Sequence, residues 1–314
     1  MKAFLKLIRW PNLLMVAATM YLTRYFLIQP FYILQKAELQ LSNFNFFIFV
    51  LGAVLISAGG YIINDIFDLF IDPINRPKRM VVGNQIPKNK AENIYYIISG
   101  IGVALEIYIG FVVKSINIGF LFLISAMIFY FYSLRYKRIF FWGNFVVSFL
   151  TGFVPIIVWL VEFFATKAHP AEFATMATNL WLITWFVLGF GLFAFFTSLI
   201  RELIKDIEDR EGDARWGCNT IPVAWGVAKS KQLALIYTIV LLFLTLGAAY
   251  MLYDYGISYL AGFSGVVIGL PLLFFISKLL KAESNEDFHF LSTFMKIIMA
   301  IGVLSMIGIY QTIA

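Results

Sequence analysis

The chain has 314 residues, of which 61% are hydrophobic, 18% aromatic and only 13% charged, with a formal net charge of +6. A soluble domain carries about 25% charged residues, so this composition excludes a soluble globular protein and predicts an integral membrane protein. One cysteine, Cys218, excludes an internal disulfide and a cysteine metal cluster.

Apolar runs of spanning length, about 20 residues, fall at 10–33, 44–64, 92–114, 116–134, 141–163, 179–203, 232–253, 257–279 and 288–313. These nine runs predict an all-α polytopic membrane protein, one transmembrane domain over residues 1–314. The first run is too long for the apolar stretch of a cleaved signal and reads as a retained anchor. Of the 24 Lys and Arg residues, 19 lie in the N-terminal tail and in the connections around 65–91, 135–140, 204–231 and 280–287. The opposite connections hold only Lys36, Lys114 and Lys167. The positive-inside rule then puts the N-terminus in the cytoplasm and the C-terminus outside a cell membrane. The same distribution accounts for the positive charge without nucleic acid. Pro155 and Pro271 inside spans predict tolerated kinks, and Gly52, Gly59, Gly60, Gly100, Gly102, Gly189 and Gly191 predict close helix contacts.

The second and sixth runs end in the same pattern. Residues 64–72 read NDIFDLFID and residues 205–213 read KDIEDREGD. Each places aspartates at i, i+3 and i+7: Asp65, Asp68 and Asp72, then Asp206, Asp209 and Asp213. On a helix these offsets fall within roughly a 60° arc. Four helices separate the two strips. That spacing predicts two parallel four-helix repeats, related by an axis along the membrane normal, plus a ninth helix. In this arrangement the strips face each other on the cytoplasmic side of a central cavity, and each opens one of the two longest loops, near 65–91 and 204–231.

Carboxylates at a helix C-terminus meet the negative end of its dipole and repel one another, so they require a cation. Hard oxygen ligands at this density suit Mg²⁺, which joins one or two carboxylates to substrate phosphates. Arg76, Lys78 and Arg79 follow the first strip; Arg201, Lys205, Arg210 and Arg215 surround the second. Carboxylates, metal and cations together describe a polyphosphate site. At a membrane surface above a Phe-rich interior, its substrate reads as a prenyl diphosphate. Ionisation of its C–O bond would give an allylic cation that aromatic faces can stabilise. A non-enzyme reading is an ion-coupled transporter, for which Glu106 and Glu162 within spans are the candidate acids.

Asn64-Asp65-x-x-Asp68-x-x-x-Asp72 followed by Asn75-Arg76-Pro77, a second Asp-rich motif after the sixth helix, and nine helices resemble the UbiA family of membrane prenyltransferases. The resemblance covers essentially the whole chain. It implies that Asn64, Asp65, Asp68, Asp72, Asp206, Asp209 and Asp213 bind Mg²⁺-diphosphate, with Asp68, Asp72, Asp209 and Asp213 catalytic. Asp209 and Asp213 match the family's general second motif, whereas Asp206 is an addition found in part of the family. Arg9 and Asn12, in LIRWPNLL, match the N-terminal Arg and Asn positions near the acceptor. Tyr132 and Lys137, in YSLRYKR, lie five apart where many members have a Tyr and a Lys four apart. Arg76, Lys78, Arg79, Lys205 and Lys137 are thus the expected diphosphate ligands, and Arg9, Asn12, Tyr132 and Arg135 the expected acceptor ligands. CDP-alcohol phosphotransferases, which also use membrane-surface aspartates, require an Asp-Gly-x-x-Ala-Arg run that this chain lacks.

The stretch REL-IKDIEDREGD-ARWGCNTIPV resembles the archaeal-type branch that prenylates geranylgeranylglyceryl phosphate. A phosphate-bearing acceptor also suits the cations Arg135, Lys137 and Arg138. The expected donor is geranylgeranyl diphosphate, and an aromatic acid or quinone precursor such as 4-hydroxybenzoate is the alternative acceptor.

Overall fold

The computed structural model describes residues 2–69 and 80–313. Among them there is no β-strand; a single isolated bridge pairs Val82 with Ile86. Helix α1 (Lys2–Leu7) leads into α2 (Trp10–Leu22), which continues through a π-helical segment, Thr23–Ile28, into α3 (Gln29–Leu34). Then come α4 (Asn43–Phe67), α5 (Lys88–Val112), α6 (Ile116–Leu134), α7 (Trp142–Lys167), α8 (Pro170–Arg215) and α9 (Ile221–Asp254). Helix α10 (Ser258–Gly262) passes through a second π segment, Phe263–Ile268, into α11 (Gly269–Lys281). Helices α12 (Asn285–Leu304) and α13 (Met306–Ile313) follow.

Eight of the described helices are long and apolar enough to cross a membrane. The run 10–34 supplies a ninth: at about 1.5 Å per residue it also covers the ~30 Å hydrocarbon core, although its π segment interrupts the regular α repeat. The protein is therefore an all-α, multi-pass membrane protein, as the hydropathy predicted.

The region 204–231 departs from its expected loop. Helix α8 has 46 residues, about 69 Å at the α-helical rise and more than twice the thickness of the hydrocarbon core. It runs straight through the second aspartate strip to Arg215, and α9 begins at Ile221. The charged stretch IRELIKDIEDRE draws most of its residues from the strong helix formers Arg, Glu, Leu and Lys and contains no Gly or Pro. Polarity ended the apolar run there, but not the helix. The stop comes at Gly217, whose φ of +68° is the left-handed conformation that ends many helices. The amide of Cys218 donates back to the Asp213 carbonyl at 3.0 Å.

Packing divides the chain into two compact units: Met1–Met20, Glu38–Lys137 and Leu160–Thr175 in one, and Tyr21–Ala37, Arg138–Trp159 and Met176–Ala314 in the other. In the first, Leu7, Ile62, Ile63, Ile66, Val81, Val82, Ile86 and Ala91 form a core beside the end of α4. In the second, Ile200, Leu203, Ile204 and Ile207 of α8 pack with Leu241 of α9, Leu272, Phe275 and Leu279 of α11, and Phe288, Leu291 and Met295 of α12.

Within the first unit, small residues bring α4 and α5 together. A Cβ on Gly102 would lie 3.0 Å from the Gly52 carbonyl oxygen and 3.1 Å from the Ile56 nitrogen. Gly52 in turn leaves room for the fully buried Glu106, whose Oε1 would sit 2.5 Å from an added Cβ. A side chain on Gly102 therefore meets backbone that cannot yield. Gly102→Val is expected to cost about 1–3 kcal/mol through overpacking and to lower the thermal unfolding midpoint in detergent. Gly100→Val, where nothing lies within 4 Å, is the control expected to leave that midpoint unchanged.

Candidate active site

The first strip forms where α4 runs out. Asp65 lies in its last turn, and Asp68 is its C-cap, with its amide donating to the Asn64 carbonyl at 3.0 Å. The Asn64 side-chain amide donates to Asp68 Oδ2, also at 3.0 Å. Both carboxylates thus crowd the negative end of the α4 dipole, and two cations offset them. Arg9 Nη2 donates to Asp65 Oδ1 at 2.7 Å. Lys137 Nζ pairs with Asp68 Oδ1 and also donates to Asn64 Oδ1 at 3.2 Å. The side chains of Asp65 and Asp68 are only 13% and 14% exposed, so solvent screens these pairs less than ordinary surface ion pairs.

The backbone works to place Arg9. It sits between α1 and α2 with φ +50°, a left-handed conformation that a residue with a Cβ adopts only at a cost. The turn aims the guanidinium at Asp65 and lays it over the Tyr61 ring, 5.1 Å from the centroid, where the ring quadrupole attracts it. Lys137 arrives from a short 3₁₀ turn, Tyr136–Arg138, that follows α6.

The second strip rides inside α8. Asp206, Asp209 and Asp213 are all partly exposed, while Leu203, Ile204 and Ile207 are buried. Counting 100° per residue, the strip points roughly 140° away from the Ile200, Leu203, Ile204 and Ile207 face. Asp213 and Glu202 repel the Asp206 charge; Lys205 and the amide of the buried Asn144 favour it. Glu202 pairs with Arg201 and lies 3.8 Å from Lys205 Nζ. Beyond the strip, the Asn219 amide donates to the Arg138 carbonyl at 2.9 Å. Glu208 meets His289 of α12, with 3.0 Å between Oε1 and Nδ1.

Several sequence-predicted residues come together. In one unit Asn64, Asp68 and Lys137 form one bonded group, and the Arg9–Asp65 pair lies close enough for the Asp68 and Lys137 charges to act on Asp65. In the other, Asp206, Asp213 and Lys205 interact, and Asp209 shares their face. Asn12 is half-buried one turn after Arg9, its amide donating to the Arg9 carbonyl at 2.8 Å. Tyr132 is half-buried near the end of α6, and Arg135, the C-cap of that helix, is exposed. Asp72, Arg76, Lys78 and Arg79 lie outside the described residues. Two site neighbours, Tyr61 and Asn144, escaped the sequence reading, and a third, Glu202, has no role that the sequence assigns. Tyr61 and Glu202 each stand four residues before the first aspartate of a strip, a helical spacing that marks them. Asn144 carries no such signal, because only folding brings α7 to Asp206.

The donors fit a hard divalent cation. They are carboxylate and amide oxygens, partly exposed, with cations already matched to their charge. Among the described residues no three Asp, Glu, His or Cys side chains are grouped so as to hold a metal ion by themselves. Mg²⁺ commonly takes one or two carboxylates and completes its shell with waters and substrate phosphates.

Residues 13–299 match the model of the UbiA prenyltransferase family. The chain belongs to the UbiA prenyltransferase family. Over 309 residues it is 28% identical to the digeranylgeranylglyceryl phosphate synthase of Saccharolobus solfataricus, covering 97% of this chain and 95% of that protein. A solved structure of a digeranylgeranylglyceryl phosphate synthase superposes with a TM-score of 0.66 at 25% identity, covering 99% of this chain and 98% of the other. A UbiA homologue from Archaeoglobus fulgidus, bound to GPP and Mg²⁺, shares the fold with a TM-score of 0.55 at 15% identity, over 97% of this chain and 99% of that one.

The Lys137 pair yields a prediction with two opposite signs. The ammonium pairs with the Asp68 carboxylate and would compete with a divalent cation for it, yet it is also a donor suited to phosphate oxygens. Lys137→Met is therefore expected to bind Mn²⁺ alone several-fold more tightly by electron paramagnetic resonance. Its binding of magnesium pyrophosphate, read by calorimetry, is expected to weaken.

Proposed function

We propose that this UbiA-family enzyme transfers a geranylgeranyl group from geranylgeranyl diphosphate to geranylgeranylglyceryl phosphate, forming an ether, with the whole chain acting as one catalytic domain. The observation that carries this reading is the nearly full-length similarity to the digeranylgeranylglyceryl phosphate synthase of Saccharolobus solfataricus, combined with two carboxylate strips of identical spacing. Asn64, Asp65, Asp68 and Asp72 in the first strip, and Asp206, Asp209 and Asp213 in the second, are the Mg²⁺ ligands. When bound, the metal supplies Lewis-acid stabilisation of the pyrophosphate leaving group.

The protein's own residues account for the rest. Lys137, Lys205, Arg76, Lys78 and Arg79 neutralise the diphosphate oxygens as charge develops on them. The bond between C1 of the prenyl chain and the diphosphate oxygen breaks, and its electron pair leaves with pyrophosphate. The acceptor's hydroxyl oxygen forms the new bond to C1, and the hydroxyl proton passes to pyrophosphate or water. Arg135 and Arg138 supply charge for the acceptor's phosphate; Arg9, Asn12 and Tyr132 position its hydroxyl end. The distribution of Lys and Arg supports a cytoplasmic N-terminus and active site, with the C-terminus outside a cell membrane.

The substrate reading is tested by competition. Given geranylgeranyl diphosphate with geranylgeranylglyceryl phosphate and 4-hydroxybenzoate together, the purified protein is expected to prenylate the glyceryl phosphate and release pyrophosphate. Exclusive prenylation of the aromatic acid would overturn the acceptor assignment and leave the family untouched. Prenyl diphosphate uptake without pyrophosphate release would favour a transporter.

The metal assignment has its own test. Chelation of divalent cations is expected to stop turnover, and added Mg²⁺ to restore it. Asp68→Ala and Asp209→Ala are each expected to lower kcat by at least about 100-fold, the scale of losing one electrostatic stabiliser of a transition state. The thermal unfolding midpoint of Asp209→Ala should not fall, because that substitution relieves like-charge repulsion. Asp68→Ala also leaves the largely buried Lys137 without its carboxylate, so its turnover is read on protein shown to be folded.

A further inference from the structure

The second strip has a member to which the diphosphate chemistry gives no role. Glu202 precedes Asp206 by four residues, and Glu202, Asp206, Asp209 and Asp213 share roughly a 60° arc of α8. A carboxylate here adds to the repulsion on Asp206, so it needs a reason to be present. Its own oxygens are engaged by cations: Oε1 pairs with Arg201 Nη1, and Oε2 lies 3.8 Å from Lys205 Nζ. The three side chains are only 12%, 19% and 24% exposed, in the order Glu202, Arg201, Lys205, so the cluster is held rather than solvated.

The first strip has a counterpart. The residue four before Asp65 is Tyr61, and its ring face carries Arg9 at 5.1 Å. In both strips the position one turn ahead of the first aspartate organises a cation, by a ring quadrupole in one and by a carboxylate in the other. An unanchored lysine ammonium sits on a flexible four-carbon stem and must be ordered each time it meets a phosphate.

We propose that Glu202 is a positioning residue: with one oxygen fixed by Arg201, it holds Lys205 beside the second strip so that the ammonium meets the diphosphate already oriented. This inference rests on the prenyl diphosphate reading above. Glu202 itself touches neither metal nor substrate.

The test is a double-mutant cycle on the full chain in detergent with Mg²⁺. It reads equilibrium binding of geranylgeranyl S-thiolodiphosphate, whose C–S bond resists ionisation. Glu202→Gln and Lys205→Met are each expected to weaken binding about tenfold, and the double variant to be little weaker than Lys205→Met alone, because both changes remove one coupled contact. In turnover, Glu202→Gln should raise KM for the prenyl diphosphate and leave KM for the acceptor and the thermal midpoint unchanged. If Glu202→Gln fails to fold, Glu202→Asp, which keeps the charge but shortens its reach, completes the same cycle. Multiplying effects in the double variant, or wild-type affinity in a folded Glu202 variant, would overturn the positioning role. Failure of the wild-type protein to bind the analogue would overturn the diphosphate reading and this inference with it.

Discussion

Negative charge gathered on single faces of two membrane helices is the constraint on which this protein's architecture depends. A carboxylate at a helix C-terminus opposes the helix dipole, and a second on the same face opposes the first. The structure answers with cations brought from elsewhere in the chain. Arg9 comes from a strained turn 56 residues away from Asp65, and Lys137 from a 3₁₀ turn 69 residues away from Asp68. Around the second strip the cations come from α8 itself: Arg201, five residues before the first aspartate, and Lys205, directly before it. Both arrangements leave a concentrated anionic surface balanced well enough to fold and open enough to accept a divalent ion.

The two strips sit on different local structures. The first straddles the end of α4, so that Asp68 is at once a strip member and a helix cap. The second lies within the continuous body of α8, which overshoots the hydrocarbon core by several turns. In the sequence they share the 3-then-4 spacing, and in the described residues Asp65 of α4 and Asp206, Asp209 and Asp213 of α8 lie away from the buried isoleucines of their helices. The isoleucines of α4 pack into the core beside its end, and those of α8 pack against α9, α11 and α12. Each helix therefore anchors through one face and presents oxygen ligands on the opposite one.

That division explains how an enzyme of prenyl diphosphates can be greasy as a whole and charged where its oxygen ligands gather. A closed cage of protein ligands would satisfy a metal fully and leave no position for phosphate. Partly exposed carboxylates with cationic neighbours leave coordination positions for substrate oxygens. The flanking lysines and arginines then carry charge that the metal does not neutralise.

The sequence by itself determined the membrane class, the nine helical runs, the Asp65, Asp68, Asp206, Asp209 and Asp213 positions, and the family. These follow from hydropathy and from helical periodicity, which are local properties of the chain. It misjudged 204–231 because a change from apolar to polar marks the end of a membrane span, while a helix ends only where backbone and propensity demand it. Tyr61 and Glu202 were legible in the helical spacing once the strips were known. The pairing of Arg9 with Asp65, of Lys137 with Asp68, and the approach of Asn144 to Asp206 were decided only by the tertiary structure. Each joins residues 56 or more apart in the chain, and no periodicity encodes which cation will meet which carboxylate when separate helices pack.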